Sequence, residues 1–195
     1  MINEIYLVTS NKHKLREFQE ILGFPIKSVE VESDEIQEVD GEKVVTHKAE
    51  EAFRKLGKPL IVDDTGIFLE ALKGFPGVLG KWMDKTCGFE VLVDLAKLYQ
   101  NPKAWAKTFI GFCDGRETKV FVGEVEGRIA ETVRGESGFG FDPIFIPKGF
   151  SKTQAEMGSE GKKSDLQSPE GGREAEGIFG ELDKGSHLCS IAPLF

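Results

Sequence analysis

The chain reads as an α/β protein built on a mixed β-sheet, and three observations predict it. Short apolar runs alternate with helical periodicity over residues 5–99, a two-strand hairpin pattern follows, and the composition (39% hydrophobic, 30% charged) suits a packed globule. At 195 residues the chain supports one sizeable domain, or one domain with two lobes.

The elements are justified in chain order. Ile5-Tyr6-Leu7-Val8-Thr9 has the composition of a buried strand. Asn11 can cap a helix in which Leu15, Phe18 and Leu22 recur at helical spacing until Gly23-Phe24-Pro25 stops the pattern. Ile26–Val31 reads as a second strand. A second helix is predicted from about Val44 to Leu56, with Val45, Ala49, Ala52, Phe53 and Leu56 on one face and Gly57 and Pro59 ending it. Leu60-Ile61-Val62 is a buried strand that runs straight into Asp63-Asp64-Thr65-Gly66. Phe89–Tyr99 is helical in pattern, and Trp105–Cys113 and Lys119–Glu126 form an antiparallel pair joined at Asp114-Gly115. There is no internal repeat and no linker. Past Met157 the character changes: residues 158–195 hold seven glycines, and apolar residues follow neither period until Ile178. This divides the chain into a domain at 1–163 and an atypical tail at 164–195.

The formal charge of −8 argues against binding along a nucleic-acid backbone, which needs a net basic face, although local cations can still hold a small polyanion. Cys87, Cys113 and Cys189 are distant from one another and form no CxxC pair, so they read as free thiols in a reducing, cytoplasmic setting. No apolar run approaches the ~20 residues that span a bilayer, and the N-terminus lacks a signal-peptide pattern.

Three segments carry candidate chemistry. Thr9-Ser10-Asn11-Lys12-His13-Lys14 leaves a strand and opens a helix, where unpaired N–H groups and the positive dipole end can bind a phosphate. The Gly-rich spacing of a P-loop is absent, and Ser/Asn caps beside solvated lysines are equally an ordinary helix start. Asp63-Asp64-Thr65-Gly66 places two acids at the end of a buried strand, where a cation must satisfy them. Mg²⁺ does so with one or two carboxylates plus substrate phosphates, while a turn with an Asp cap is the alternative. Glu35 is a candidate partner carboxylate. Gly138-Phe139-Gly140-Phe141-Asp142-Pro143 alternates glycines with aromatics, which lets flat rings approach a ligand closely or makes a tight turn over core phenylalanines.

In this order and spacing, Thr9-Ser10-Asn11 with Lys14, Asp64-Thr65-Gly66, Gly74-Phe75-Pro76-Gly77, Gly138 through Phe145 and Ala155-Glu156-Met157 resemble the inosine triphosphate pyrophosphatase (Ham1-like) family. The resemblance covers about residues 4–163. It implies an elongated mixed sheet with flanking helices, two lobes around a central cleft, and a homodimer. The implied activity is Mg²⁺-dependent hydrolysis of ITP, dITP and XTP to monophosphate and pyrophosphate, with a nucleotide binder of weak or lost turnover as the alternative. By the same resemblance Thr9, Ser10, Asn11, Lys12, His13 and Lys14 hold the triphosphate, Asp64 is general base or metal ligand, and Glu35 is the second metal carboxylate. Thr65 contacts substrate, Lys81 lies near the phosphates, Phe139, Gly140, Phe141 and Asp142 cover base and sugar, and Lys162 matches a lysine shortly after the Ala-Glu-Met triplet.

One departure stands out. The family follows that lysine with Ser-His-Arg, whose His and Arg select a 6-oxo purine, and with a closing helix. Here Lys162 is followed by Lys163-Ser164-Asp165-Leu166-Gln167-Ser168-Pro169, and Ser186-His187 lacks the Arg. Gln167–Glu170 can be encoded CAG TCA CCG GAG, which reads Ser-His-Arg one base later. The same shift through Arg173–Leu182 can spell Glu-Lys-Leu-Arg-Glu-Tyr-Leu-Glu-Ser-stop, a good helix former. The tail is therefore expected to be frame-shifted and to lack the base-selecting pair.

Overall fold

The computed structural model describes residues 4–10, 14–15, 18–19, 26–138 and 140–158. Their strands are β1 (Tyr6–Val8), β2 (Lys27–Val29), β3 (Leu60–Leu69), β4 (Pro76–Gly77), β5 (Lys103–Cys113), β6 (Thr118–Ile129) and β7 (Phe145–Pro147). The helices with defined bounds are α1 (Gly41–Leu56), α2 (Gly80–Cys87) and α3 (Glu90–Leu98), with a 3₁₀ turn at Glu70–Leu72. Lys14, Leu15, Phe18 and Gln19 are also helical, in keeping with the first predicted helix.

All seven strands join one sheet in the order β2-β1-β3-β5-β6-β7, with β4 beside β3. β1 runs parallel to both neighbours, pairing Tyr6 with Lys27 and with Leu60. β4 lies antiparallel to β3 (Ile67 with Gly77), and β7 lies antiparallel to β6 (Ile129 with Phe145). The sheet is mixed, as predicted. The crossover from β1 to β2 requires a connection of a dozen or more residues, which is where the first helix falls.

The chain divides into two compact units. The first comprises the chain to Asp64 together with Thr108–Val122, and the second comprises Thr65–Lys107 and the described residues from Gly123 onward. In the first unit, Leu7, Leu60, Ile61 and Val62 are fully buried, and Val45, Ala49 and Ala52 bury one stripe of α1. Asp40 caps that helix: its Oδ1 accepts the N–H of Glu42 at 3.0 Å and of Lys43 at 3.5 Å. Gly57 closes it, donating its N–H to the Phe53 carbonyl at 2.8 Å. The hairpin turn is held by Asp114, whose Oδ1 accepts the N–H groups of Arg116 and Glu117 at 2.9 and 3.2 Å. In the second unit, Leu92, Val93 and Ala96 of α3 pack with Ile67, Leu69, Ala104, Ala106, Ile129, Ile144 and Phe145. Burying each large aliphatic side chain stabilises by about 1.5–3 kcal/mol.

Several boundaries differ from expectation. β3 does not stop at Val62 but continues through Asp63-Asp64-Thr65-Gly66 to Leu69, because β4 pairs with its far end. α1 begins at Gly41, three residues before Val44, since Asp40 supplies the cap. β2 is shorter than Ile26–Val31. α2 was not anticipated, and its N-cap Leu79 makes no side-chain cap bond, so the usual start signal is missing.

Candidate active site

The predicted residues sort by unit. In the first, Thr9 follows β1 and donates its N–H to the Val29 carbonyl at 3.1 Å, which ties the strand exit to β2. Ser10 beside it is exposed. Asn11, Lys12 and His13 lie outside the described residues. Lys14 places its ammonium on the Asp63 carboxylate, whose side chain is only 3% exposed. A carboxylate buried this far needs a cationic partner, and Lys14 is that partner. Lys48, on α1, donates to the Asp63 carbonyl oxygen at 2.8 Å. Two ammonium groups thus converge on one residue of β3.

Lys48 is absent from the sequence-derived set, although a signal was there. It sits three residues after Val45 and four before Ala52, on the apolar stripe of α1, where an unpaired lysine is out of place.

Asp63 and Asp64 do not act as a chelating pair. Successive strand side chains point to opposite faces, and both residues lie within β3. The buried Asp63 is taken by Lys14, and Asp64 is half-buried on the other face. The expectation that both acids await one cation at a strand end is corrected accordingly. Glu35 is exposed, in the segment leading to α1. That segment is tied to the helix: Asp34 donates its N–H to Glu51 Oε2 at 3.0 Å, and Lys55 donates to the Glu32 carbonyl. Glu51 is itself buried, and its hydrogen bond from Lys55, an ion pair of 2.8 Å, holds its pKa below the ordinary value. Among the described residues no group of three or more His, Cys, Asp or Glu could hold a metal ion.

The second unit carries the remaining candidates. Thr65 is half-buried in β3, and Lys81 is exposed at the second position of α2. Gly140 is exposed, Phe139 lies outside the described residues, and so does Lys162. Phe141 meets Phe89 and Phe145 edge-on, with centroids 5.9 and 6.3 Å apart, and packs against the core. Its ring therefore anchors the Gly138–Asp142 segment from below. Asp142 is 4% exposed. Its carboxylate folds back over Gly138, where a Cβ would lie 2.1 Å from Asp142 Oδ2 and φ is +86°. Only glycine fits there.

A profile of the Ham1 family matches residues 5–166. The dITP/XTP pyrophosphatase of Thermococcus kodakarensis is 43% identical over 158 residues, covering 80% of this chain and 85% of the relative. That of Hyperthermus butylicus is 40% identical over 161 residues, covering 81% and 85%. Among solved structures, the Ham1 protein of Staphylococcus aureus superposes with a TM-score of 0.75 at 28% identity, covering 93% of this chain and all of that one. The nucleoside-triphosphatase (dITP/XTP pyrophosphatase) of Mycobacterium abscessus gives 0.73 at 26% identity, covering 91% and 99%. With a profile that spans most of the sequence and a sheet that superposes on these structures, the chain belongs to the Ham1 family.

Proposed function

We propose that the protein hydrolyses deaminated purine nucleoside triphosphates, dITP and XTP among them, to monophosphate and pyrophosphate. The observation that carries this reading is 40–43% identity over four fifths of the chain to relatives named dITP/XTP pyrophosphatase. Water adds across the α–β phosphoanhydride bond, and Asp64 accepts its proton or orients it. Asp64 is half-buried in β3, beside the Asp63 that Lys14 neutralises. Lys48 and Lys81 supply positive charge for the phosphates, and Lys14 adds to it while neutralising Asp63. The Gly138–Asp142 segment holds the nucleoside. The carboxylates of Asp64 and Glu35 are hard oxygen donors of the number Mg²⁺ normally takes from a protein, so these two residues would hold the ion. Mg²⁺ when bound neutralises the phosphates.

The same reading includes a homodimer working in the cytoplasm on a small nucleotide. The charge of −8 supports the exclusion of nucleic acid, and no described helix is long and apolar enough to cross a membrane. The test is pyrophosphate release from a panel of dITP, XTP, ITP, dATP and GTP. Activity should vanish in excess EDTA and return with Mg²⁺; full turnover in EDTA overturns the metal assignment.

A second reading, a binder with weak turnover, is favoured by the missing Ser-His-Arg and by the family match ending at residue 166. Tight dITP binding without pyrophosphate release would establish it.

A further inference from the structure

The Ala155-Glu156-Met157 triplet has no chemical task so far, and the structure surrounds it with contacts to one segment. Thr153 is fully buried and begins the helical stretch 154–158 with a reciprocal capping box. Its Oγ1 accepts the Glu156 N–H at 3.2 Å, and Glu156 Oε2 accepts the Thr153 N–H at 2.8 Å. The same hydroxyl donates outward to the Arg134 carbonyl at 2.8 Å. Arg134 answers with its side chain: Nη2 donates to the Ser151 carbonyl at 3.1 Å, and Nε lies 3.6 Å from Glu156 Oε2. Arg134 N–H donates to the Pro143 carbonyl at 2.9 Å, and Ala155 N–H donates to the Asp142 carbonyl at 3.1 Å. Ser137 adds a hydroxyl bond to the Ala155 carbonyl. At Gly135 a Cβ would meet the Ala155–Glu156 backbone at 2.7 Å, so the two segments are in direct backbone contact.

Both ends of the stretch from Arg134 to Pro143 are thus fastened to one short helix start, with Gly138–Asp142 between them. We propose that Arg134, Thr153 and Glu156 form a latch that positions the Gly138–Asp142 segment for the nucleoside half of the substrate. This rests on the reading of that segment given above. None of the three touches the reacting phosphates in this account; they are positioning residues. Glu156 in particular acts as a cap and counter-charge, although a carboxylate next to a substrate loop invites a catalytic reading. A latch of this kind sets the affinity for the base and sugar and leaves the triphosphate half alone. Its loss should therefore raise KM and spare kcat.

The test compares Arg134→Met, Thr153→Val and Thr153→Ser in the full chain with Mg²⁺. It reads kcat and KM for dITP, calorimetric Kd for dITP, and the inhibition constant of inorganic tripolyphosphate, which has no nucleoside. Removing the guanidinium, or the hydroxyl with its two bonds, should raise KM and Kd for dITP about tenfold. kcat should stay within about threefold and tripolyphosphate inhibition should not move. Thr153→Ser, which keeps the hydroxyl, should match the parent. Folded variants with unchanged dITP affinity, or with dITP and tripolyphosphate weakened together, overturn the latch. Should Thr153→Val fail to fold, Arg134→Met decides alone, since that side chain is 38% exposed. Asp142→Asn separates the two levels. If it leaves dITP affinity unchanged, the segment is not the nucleoside contact. If it weakens dITP while Arg134→Met and Thr153→Val do not, the latch alone fails.

Discussion

At the scale of single residues, β3 gives two adjacent aspartates opposite duties. Asp63 faces inward onto Lys14 with its carbonyl on Lys48, and Asp64 takes the other face, half-buried. Asp64→Asn keeps the size and shape of the side chain while removing its charge and one acceptor oxygen, so the fold should survive while kcat falls by ~10²-fold or more, the usual loss for a general base or metal ligand. A folded variant that retains most of its pyrophosphate release removes Asp64 from the mechanism. Asp63→Asn makes the opposite prediction. It leaves Lys14 without a counter-charge in a partly desolvated position, which should cost about 2–3 kcal/mol of stability and weaken binding through a displaced ammonium. Urea unfolding together with KM for dITP measures both. The candidate acids were legible in the sequence as a pair; their division was not, because only pairing with β4 shows that the strand continues and alternates through them.

At the scale of elements, the readable parts were those whose signals are local. α1 announced itself by an apolar stripe from Val45 to Ala52 and by Gly57, and the hairpin by Asp114-Gly115. What escaped depends on distant partners: the second half of β3, the two-residue β4, and β7, whose three buried residues form a strand only because β6 is beside them. α1 also carries a pH signature. Lys55 holds the Glu51 carboxylate ionised more readily than in the unfolded chain, with the Asp34 N–H adding to it. A depressed folded pKa contributes stability that is present above the unfolded value and lost as pH falls through the folded one. Glu51→Gln should therefore lose stability at neutral pH and converge on the parent as pH falls from the ordinary glutamate range through the lowered folded pKa of Glu51. Urea midpoints across that range check this, and a constant difference at all pH values would show that packing, not charge, is what Glu51 supplies.

At the scale of the whole molecule, the family match and the chain part company at one place. The profile ends at residue 166, and relatives aligned over about 160 residues are covered to 85% of their own length. The remaining residues here run Gln167-Ser168-Pro169-Glu170-Gly171-Gly172, glycine-rich and without period. Residues 159–195 lie outside the described part of the structure, so the proposal that they are frame-shifted stands on sequence. One shifted frame can encode both features that the family resemblance leads one to expect, a Ser-His-Arg and a helix-forming stretch closed by a stop. The gene should accordingly spell Ser-His-Arg one base after the Gln167 codon begins. The protein as it stands should prefer dITP over dATP only weakly, because its sequence lacks the Ser-His-Arg that the family resemblance assigns to the 6-oxo group. Correcting the frame by one base should raise that preference by a factor of ~10² or more, through kcat/KM for dITP. Codons at 167–182 that cannot yield Ser-His-Arg in any shifted frame end the idea, and so does strong dITP selectivity in the uncorrected chain.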